Sequence, residues 1–374
     1  MGVPQAIPSK GTSSVADPQI DPASLARSLV LYREPIVARS VTEIAVSAVP
    51  LIALWATMWA SLYFVGFWLT LLLAVPAAGF LVRLFMIQHD CGHDAFFRRR
   101  ATNDWVGRVL GVLTLTPYDY WRRRHATHHA TSGNLDGRGV GDVGTLTVGE
   151  YLERGRWGRF GYWLSRHPAV LFGLAPSYLF FLQQRLPIGL MRAGWRPWVS
   201  TMATNLGILG MAAGLMWLVG IGPFLMVHVP IVLLAATAGV WLFFVQHQFE
   251  NTHWAEAGEW NHAEAALLGS SHYDLPGVLR WFSCNIGIHH VHHLASRIPF
   301  YRLPEVLRSH PELRDLGRLT LRQSFACGRL ALWDEGRRRL ISFREMRRQR
   351  AADRRRWAEL SGRGRIAALP IDAG

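Results

Sequence analysis

The chain has 374 residues, of which 50% are apolar and 18% are charged, and its formal net charge is +14. Because an average soluble protein carries about 25% charged residues, this composition argues against an ordinary soluble enzyme, and the apolar content excludes general disorder. Three cysteines do not make a disulfide framework, whereas the excess of arginine suits nucleic acid, an anionic lipid or an acidic protein as partner.

The first predicted elements along the chain are a tail and a pair of membrane spans. Residues 1–26 are rich in Pro, Ser, Ala and Gly and lack the apolar core of a signal peptide, so we expect a disordered tail. No Asp, Glu, Lys or Arg occurs over residues 44–82. Since a bilayer crossing takes about 20 apolar residues, this run predicts spans at about 45–62 and 67–87 with a turn near Gly66.

A second charge-free run, residues 197–249, predicts spans at about 200–219 and 224–245 with a turn near Gly220. Between the two pairs lies a marginally long apolar stretch, 167–184, with arginines on both sides. Because arginine concentrates in cytoplasmic loops, we expect this stretch to lie in the membrane interface and both termini to lie in the cytoplasm. The alternative is a buried hairpin in a large soluble core, which such long charge-free runs disfavour.

Three histidine clusters, here called boxes, lie beside the predicted spans or between them. Box one is His89 and His93, box two is His125, His128 and His129, and box three is His289, His292 and His293. Residues three and four apart share a helix face, and neutral imidazole binds iron, copper and zinc alike. Eight imidazoles exceed the capacity of one metal ion, so the boxes predict a site for two.

Five further polar residues are assigned to this predicted site. His247, at the end of the fourth span, is a candidate ninth ligand; the alternative is a polar residue at a helix end. Ligating imidazoles usually donate their second N–H to a neighbour, and the candidates for such support are Asp90, Asp94, Asn285 and His290. His290 is included because it is turned about 100° off the face of its neighbours. For the carboxylates and the amide, a buried polar role without any link to the metal is the alternative.

Two further patterns are interpreted without a metal. Residues 139–144 match G-x-G-x-x-G, but no strand precedes them, so we expect a flexible loop rather than a dinucleotide site. The arginine-rich tail at 346–374 is predicted to be cytoplasmic and to contact anionic lipid; docking of an acidic redox protein is the alternative. Nucleic acid is not expected as a partner, because no recognition motif accompanies the arginines.

The order of the boxes, with a pair of spans before box one and before box three, resembles the integral-membrane fatty acid desaturases over roughly residues 40–345. The phrases His-Asp-Cys-Gly-His at 89–93 and Asn-Ile-Gly at 285–287 are most similar to bacterial acyl-lipid desaturases near the omega-6 type. The resemblance implies an all-α integral membrane protein with four transmembrane helices as two hairpins. A cytoplasmic helical cap would hold the metals, and the membrane domain would cover residues 27–345.

The same resemblance implies a chemistry. The eight box histidines would ligate a non-haem diiron centre that uses O2 to place a cis double bond in a fatty acyl chain, here expected on a membrane lipid. In animal relatives an Asn-x-x-x-His pair on the last span adds a contact, whereas here Phe243 precedes His247 by four residues. The motif of a fused cytochrome b5 is not seen, so a separate ferredoxin-like protein or cytochrome is the expected electron donor. The expected location is the inner membrane of a bacterium.

Two alternatives stay open at this point. A hydroxylase or ketolase acting on a lipid, an alkane or a carotenoid would use the same scaffold, because histidine boxes do not distinguish the removal of one hydrogen from the removal of two. A metal-binding or transport protein would place ionisable residues at mid-membrane, whereas the spans hold only Arg83 and His228, near their ends. The sequence does not determine the double-bond position, the acyl chain length or the carrier of the acyl group.

Overall fold

The computed structural model describes residues 22–362, and the predominantly helical architecture predicted from the sequence is confirmed. The helices of this range are α1 (Pro22–Ser28), α2 (Val37–Phe64), α3 (Phe67–Gly92), α4 (Arg100–Leu113), α5 (Tyr118–Thr131), α6 (Val148–Glu153), α7 (Arg156–Ser165), α8 (Ala175–Phe181), α9 (Trp195–Val219), α10 (Ile221–His247), α11 (His262–Leu268), α12 (Gly277–Phe282), α13 (His289–Leu294), α14 (Leu303–Ser309), α15 (Leu321–Cys327) and α16 (Phe343–Gly362). The strands are β1 (Leu146–Thr147), β2 (His272–Asp274), β3 (Arg318–Thr320), β4 (Leu330–Asp334) and β5 (Arg339–Ser342).

Four helices of the described range, α2, α3, α9 and α10, are long and apolar enough to cross a bilayer. They form two hairpins, as predicted, and the turns fall at Gly66 and Gly220, whose φ angles of 130° and 87° favour glycine. The described residues outside these four helices are here called the cap. Each of the four helices extends beyond its predicted span at the end that meets the cap. Polar groups at that end are satisfied by cap residues rather than exposed to lipid; for example, the Ser40 hydroxyl donates to the Phe96 carbonyl at 2.7 Å.

The central helix of the bundle is α3. It packs against α2, α4 and α10, and 56% of its most apolar stretch is buried, compared with 6% for α9. The small side chains of Ala74, Ala77 and Ala78 are buried and let the neighbouring helices approach closely. As a result, α3 carries box one from the interior of the bundle into the cap, whereas α9 presents most of its surface outward.

The cap contains, within residues 22–362, two small sheets that the sequence does not predict. β1 runs parallel to β4, β4 pairs antiparallel with β5, and β2 pairs parallel with β3. Strands of two to five residues are too short to show a hydrophobic period. They join segments that are distant in sequence; the pairing of β2 with β3 fixes the chain shortly before box three.

The apolar stretch at 167–184 is divided into a π-helical turn at Val170–Leu174, helix α8 and a 3₁₀ turn at Gln183–Arg185. It lies against α10, where Thr237 donates to the Phe172 carbonyl at 3.0 Å. α8 has seven residues, far fewer than a bilayer crossing needs. The interfacial position of this stretch stays a prediction.

The N-terminal boundary differs from the predicted one. α1 begins at Pro22, inside the segment 1–26 that the sequence assigns to a tail. The helix forms because Leu25, and Leu29 just beyond it, are buried in the main hydrophobic core. The remainder of that segment, 1–21, lies outside the described residues.

The C-terminal boundary lies within a helix. α16 begins three residues before the predicted start of the arginine-rich tail at 346 and carries this sequence as far as Gly362. Met346 is buried against the β4–β5 hairpin region, so the first turn of α16 belongs to the cap. Residues 363–374 of the predicted tail lie outside the described residues.

A buried ion pair fastens α2 to α3. The Arg83 guanidinium of α3 contacts the Glu43 carboxylate of α2, and its Nε donates to Ser47 Oγ at 3.0 Å. Arg83 also donates to the Trp281 carbonyl and lies 3.8 Å from the centroid of the Trp281 ring. Both charged groups are buried, so each offsets the cost of removing the other from water.

Arg83→Met is expected to lower the thermal stability of the purified protein strongly, because it leaves the Glu43 carboxylate buried without this partner; breaking such a pair costs about 3–5 kcal/mol. Arg39→Met is the matched control. Arg39 pairs with the same carboxylate at 2.7 Å but is more than half exposed, and exposed pairs contribute about 0–1 kcal/mol. The measurement is the unfolding temperature in detergent, and equal values for the two variants would contradict the role given to Arg83.

Candidate metal centre

Box one lies where α3 leaves the helix bundle. His89 is within the last turn of α3, and His93 directly follows the last residue of the helix. Asp94 has a φ of 55°, in the left-handed region, which prevents the helix from continuing. His247 is the last residue of α10. Two of the four long helices therefore deliver histidines to the same end of the bundle.

Boxes two and three lie on helices of the cap. Box two is on α5, and box three is on α13, a helix of six residues whose histidines are all buried. α5 is fastened to box one, because the Tyr118 hydroxyl donates to the Cys91 carbonyl at 2.9 Å. α13 is fastened to the β2 segment, where the Tyr273 N–H donates to the Gly287 carbonyl at 2.7 Å.

The structure brings the eight box histidines and His247 together in two adjoining groups. The five-histidine group is His89, His93, His125, His129 and His292, and the four-histidine group is His128, His247, His289 and His293. Within each group the donor nitrogens lie within 4.8 Å of one another. The rings of His129 and His293 stack at a centroid distance of 4.1 Å, so the groups are in direct contact.

Boxes two and three each contribute to both groups. On a helix, consecutive residues are turned by about 100°, whereas residues four apart nearly coincide. His125 and His129 therefore point together, and His128 points to the other group. The same rule joins His289 with His293 and separates His292.

The nitrogen positions suit metal ligation. Neighbouring Nε2 atoms of the two groups lie 2.9–3.2 Å apart. Two nitrogen ligands bound at about 2.1 Å to one ion and at right angles to each other lie about 3.0 Å apart. An all-imidazole donor set of this geometry fits a transition metal ion in each group.

Burial favours the neutral form of six of these imidazoles. For these six residues, all outside the long helices, burial lowers the pKa well below its ordinary value, and the neighbouring imidazoles lower it further. These residues are His93, His125, His129, His289, His292 and His293. A neutral ring keeps a nitrogen lone pair free, which is the form that binds a metal.

The two predicted carboxylate supports differ in their contacts. Asp90 Oδ1 lies 3.3 Å from His89 Nδ1, and its Oδ2 accepts the Phe300 N–H at 2.7 Å. Asp90 therefore links box one to the segment that follows box three. Asp94 instead pairs with Arg122 at 3.5 Å and ends α3, and the contacts found for it include no histidine.

The other two predicted supports have partners away from the groups. His290 Nε2 donates to the Leu313 carbonyl at 2.9 Å, and its ring lies beside His272 at a centroid distance of 5.6 Å. Asn285 Nδ2 donates to the Phe300 carbonyl at 3.2 Å, and its φ of 56° marks a tight turn. The hydrogen bonds found for these two side chains go to backbone carbonyls and not to the box histidines. The two residues therefore hold the backbone around box three in place.

Sequence reasoning did not find Asp142. Its carboxylate hydrogen-bonds to His128 Nδ1, the position at which a carboxylate orients a ligating imidazole. Asp142 lies in the 139–144 glycine-rich segment that was set aside as a loop. Gly141 allows the approach, because a Cβ there would come within 3.1 Å of the Arg124 carbonyl and of His128 Cβ. The only sequence signal for Asp142 is that it is an acidic residue soon after box two.

Phe243 lies four residues before His247, at the position that asparagine occupies in the Asn-x-x-x-His pair described above for animal relatives. Its ring lies 5.1 Å from that of His128 and 5.4 Å from that of His247. An apolar side chain therefore covers this side of the four-histidine group. On the other group, Trp121 stacks on His125 at 4.6 Å.

A cavity of about 370 Å³ reaches both groups, at His89, His125 and His289. Its walls come from α3, α5, α8 and α10 and are mostly apolar. Gln184 also lines it, and this side chain is only 7% exposed with no hydrogen-bond partner for its Oε1. The sequence did not assign any residue to this cavity, because its lining is scattered over several helices and the loops between them.

The sequence profile described as "Fatty acid desaturase" matches residues 66–325, a range that contains all nine clustered histidines. The chain belongs to the fatty acid desaturase family. This desaturase is therefore an oxidoreductase, and the family resemblance predicted from the boxes is confirmed. The alternative of a non-enzymatic transport protein is wrong.

Named relatives support the acyl-lipid branch. A fatty acid desaturase of Bacillus subtilis is 40% identical over 323 residues, which are 86% of this chain and 91% of the relative. An sn-1 acyl-lipid omega-3 desaturase (ferredoxin) of a Synechocystis species is 31% identical over 234 residues, 59% of this chain and 61% of the relative. A chloroplastic omega-6 fatty acid desaturase of Arabidopsis thaliana is 28% identical over 247 residues, 59% of this chain and 48% of the relative.

Asp142→Asn is expected to weaken metal retention by about 10- to 100-fold, the usual effect of removing the partner of a ligating imidazole. Asp136→Asn is the matched control on the same loop, since within residues 22–362 the Asp136 carboxylate accepts the Ala257 N–H at 2.8 Å and contacts no histidine. Metal content of the desaturase would be measured after dialysis against graded chelator. If both variants keep metal equally well, Asp142 does not orient His128.

Proposed function

We propose that this desaturase introduces a cis double bond into a fatty acyl chain of a membrane lipid, using O2 and two electrons from a separate donor at a non-haem diiron centre. The observation that carries the proposal is a largely apolar cavity that reaches two adjoining histidine groups. Its wall helices α3 and α10 are apolar enough to stand in a bilayer. An acyl chain would therefore enter the cavity without crossing water.

Two iron ions are the proposed occupants of the histidine groups, with five imidazoles for one and four for the other. Zinc takes four ligands, fewer than the larger group offers, whereas six-coordinate iron accommodates either number and keeps a position for a small molecule. When bound, iron would supply the O2 chemistry that an unactivated carbon chain requires and that protein side chains lack.

The protein's own part is to hold the acyl chain and exclude water. Leu81 and Phe85 of α3 and Ala235 of α10 line the cavity, so the chain is held by burial of apolar surface. The methylene groups that lie against His89 and His125 would be those that react. The position of the double bond then follows from how far the chain enters.

The overall reaction balances with one O2 for each double bond. One hydrogen leaves each of two neighbouring carbons, and O2 takes up these hydrogens with two electrons and two protons to form two waters. The donor therefore delivers two electrons in each turnover. The name of the Synechocystis relative specifies ferredoxin, and we propose a ferredoxin-type donor here; a cytochrome is the alternative.

The proposed location is the inner membrane of a bacterium, with the cap and both termini in the cytoplasm. The turns at Gly66 and Gly220 are free of charged residues, whereas the cap and α16 are rich in arginine, which is retained on the cytoplasmic side. In this orientation the stretch 167–184 lies in the interface. The arginines of α16 would contact anionic lipid of the same leaflet.

Expression in a host without acyl desaturases is expected to yield fatty acids with a new double bond, formed only when O2 is present. His289→Ala should abolish the product and lower iron content, because it removes a proposed ligand. His290→Gln should keep both, because His290 bonds the Leu313 carbonyl and the amide preserves a donor. Mass spectrometry of the methyl esters and iron analysis at matched expression provide the measurements.

Three results would overturn parts of this proposal. Hydroxylated chains in place of unsaturated ones would move the enzyme to the hydroxylase class. Active protein with stoichiometric zinc and no iron would exclude the diiron centre. Equal loss of iron in the His289 and His290 variants would show that the ligands of box three are wrongly assigned.

Gly239→Leu is expected to shift the products toward shorter acyl chains or to reduce them several-fold. Gly239 lines the cavity on α10, and a Cβ there would meet no atom within 4 Å, so the new side chain occupies cavity space without straining the fold. Gly210→Leu on α9 is the matched control, because it has the same open surroundings away from the cavity. Identical methyl ester profiles for the two variants would exclude this cavity as the acyl site.

A further inference from the structure

A second cavity, of about 360 Å³, lies where the chain between α7 and α8 meets α15, β4 and the start of α16. Four cationic or titratable side chains line it, Arg166, His167, Arg329 and Arg344, and Trp163 and Phe343 add aromatic walls. No carboxylate is among its lining residues within the described part of the chain. This second cavity, here called the cationic cavity, is therefore strongly cationic. It shares no lining residue with the apolar cavity that reaches the histidine groups.

The exposed arginines of this cavity are not neutralised by neighbours. Neither Arg329 nor Arg344 has an ion pair with any carboxylate among residues 22–362. The acid next along the chain, Glu345, pairs with Arg339 instead. Two guanidinium groups thus remain available to an anion from outside the protein.

Arg166 provides an independent observation that an anion belongs here. Its side chain is only 5% exposed, yet all the partners found for it are neutral. One Nη donates to Gln248 Oε1 at 3.0 Å and to the Leu330 carbonyl at 2.9 Å, and the Nε has no partner. A buried cation without a counter-charge is costly, and an anion in the adjoining cavity would offset that cost.

The surroundings of the cavity are those of a membrane interface. Phe325 of α15 is 66% exposed and packs against Trp241, six residues before the cap end of α10. α7 presents Trp157 and Phe160 outward beside arginines. Exposed aromatic rings mixed with arginine are typical of the headgroup level of a bilayer.

We propose that this cavity binds the phosphate of an anionic phospholipid headgroup. Guanidinium groups form bidentate hydrogen bonds with phosphate, and Arg329 and Arg344 would supply them beside Arg166. A lipid held by its phosphate would place its acyl chains along the exposed face of Phe325. Free phosphate has the same recognition chemistry, so the test distinguishes the two sources. The inference does not depend on the metal or on the reaction.

Native mass spectrometry of the full chain in neutral detergent tests the site, with 1-palmitoyl-2-oleoyl-phosphatidylglycerol as the probe. R329Q/R344Q should need about 30-fold more lipid to retain one molecule, the factor expected when two arginines at a lipid surface are neutralised. R308Q/R322Q is the matched control, because both residues are exposed, lie outside α16 and do not line the cavity. The control should bind like the unmodified chain.

Two outcomes would overturn the proposal. Equal lipid retention in both double variants would mean that the cavity is not the binding site. Displacement of the phosphatidylglycerol by millimolar inorganic phosphate would assign the site to free phosphate rather than to lipid. Both variants replace exposed side chains that have no hydrogen-bond or ion-pair partner among residues 22–362, so comparable unfolding temperatures are expected and would be checked in the same preparations.

Discussion

The convergence of nine imidazoles, six of them buried and three half-buried, is the constraint on which the rest of the structure depends. Their Nε2 atoms lie 2.9–3.2 Å from their neighbours, so potential metal-ligating nitrogens crowd together. A metal ion bound by such nitrogens would stabilise this arrangement and couple metal binding to folding. The helices α3, α5, α10 and α13 must therefore keep fixed relative positions, and the surrounding contacts serve that requirement.

Several polar contacts in the core connect the segments that carry the histidines to neighbouring parts of the chain. Arg83 joins α2 to α3 and reaches the Trp281 carbonyl near box three. Asp90 joins box one to Phe300, and Asp142 holds the loop that follows box two onto His128. Each of these contacts is buried or partly buried, where a hydrogen bond to a charged group contributes more than it does at the surface.

The two ends of the stretch 167–184 border two different cavities. Arg166, just before the stretch, and His167, its first residue, border the cationic cavity, and its last part, with Phe180 and Gln184, borders the apolar cavity that reaches the histidine groups. Packing of Phe172 on Trp241 holds it against α10.

The sequence by itself determined the four long helices, the two hairpins, the histidine boxes and the family, because each of these is a local pattern of charge, apolar length or residue spacing. It did not determine the two histidine groups, which mix residues from all three boxes. It also left out Asp142, the short strands and the cavity lining, and it assigned His290 and Asn285 to the support of the ligating imidazoles, whereas the hydrogen bonds found for their side chains go to the Leu313 and Phe300 carbonyls. Most of these features depend on contacts between residues far apart in sequence, such as the 163 positions between His129 and His292, and only the packing of the helices in three dimensions decides such contacts.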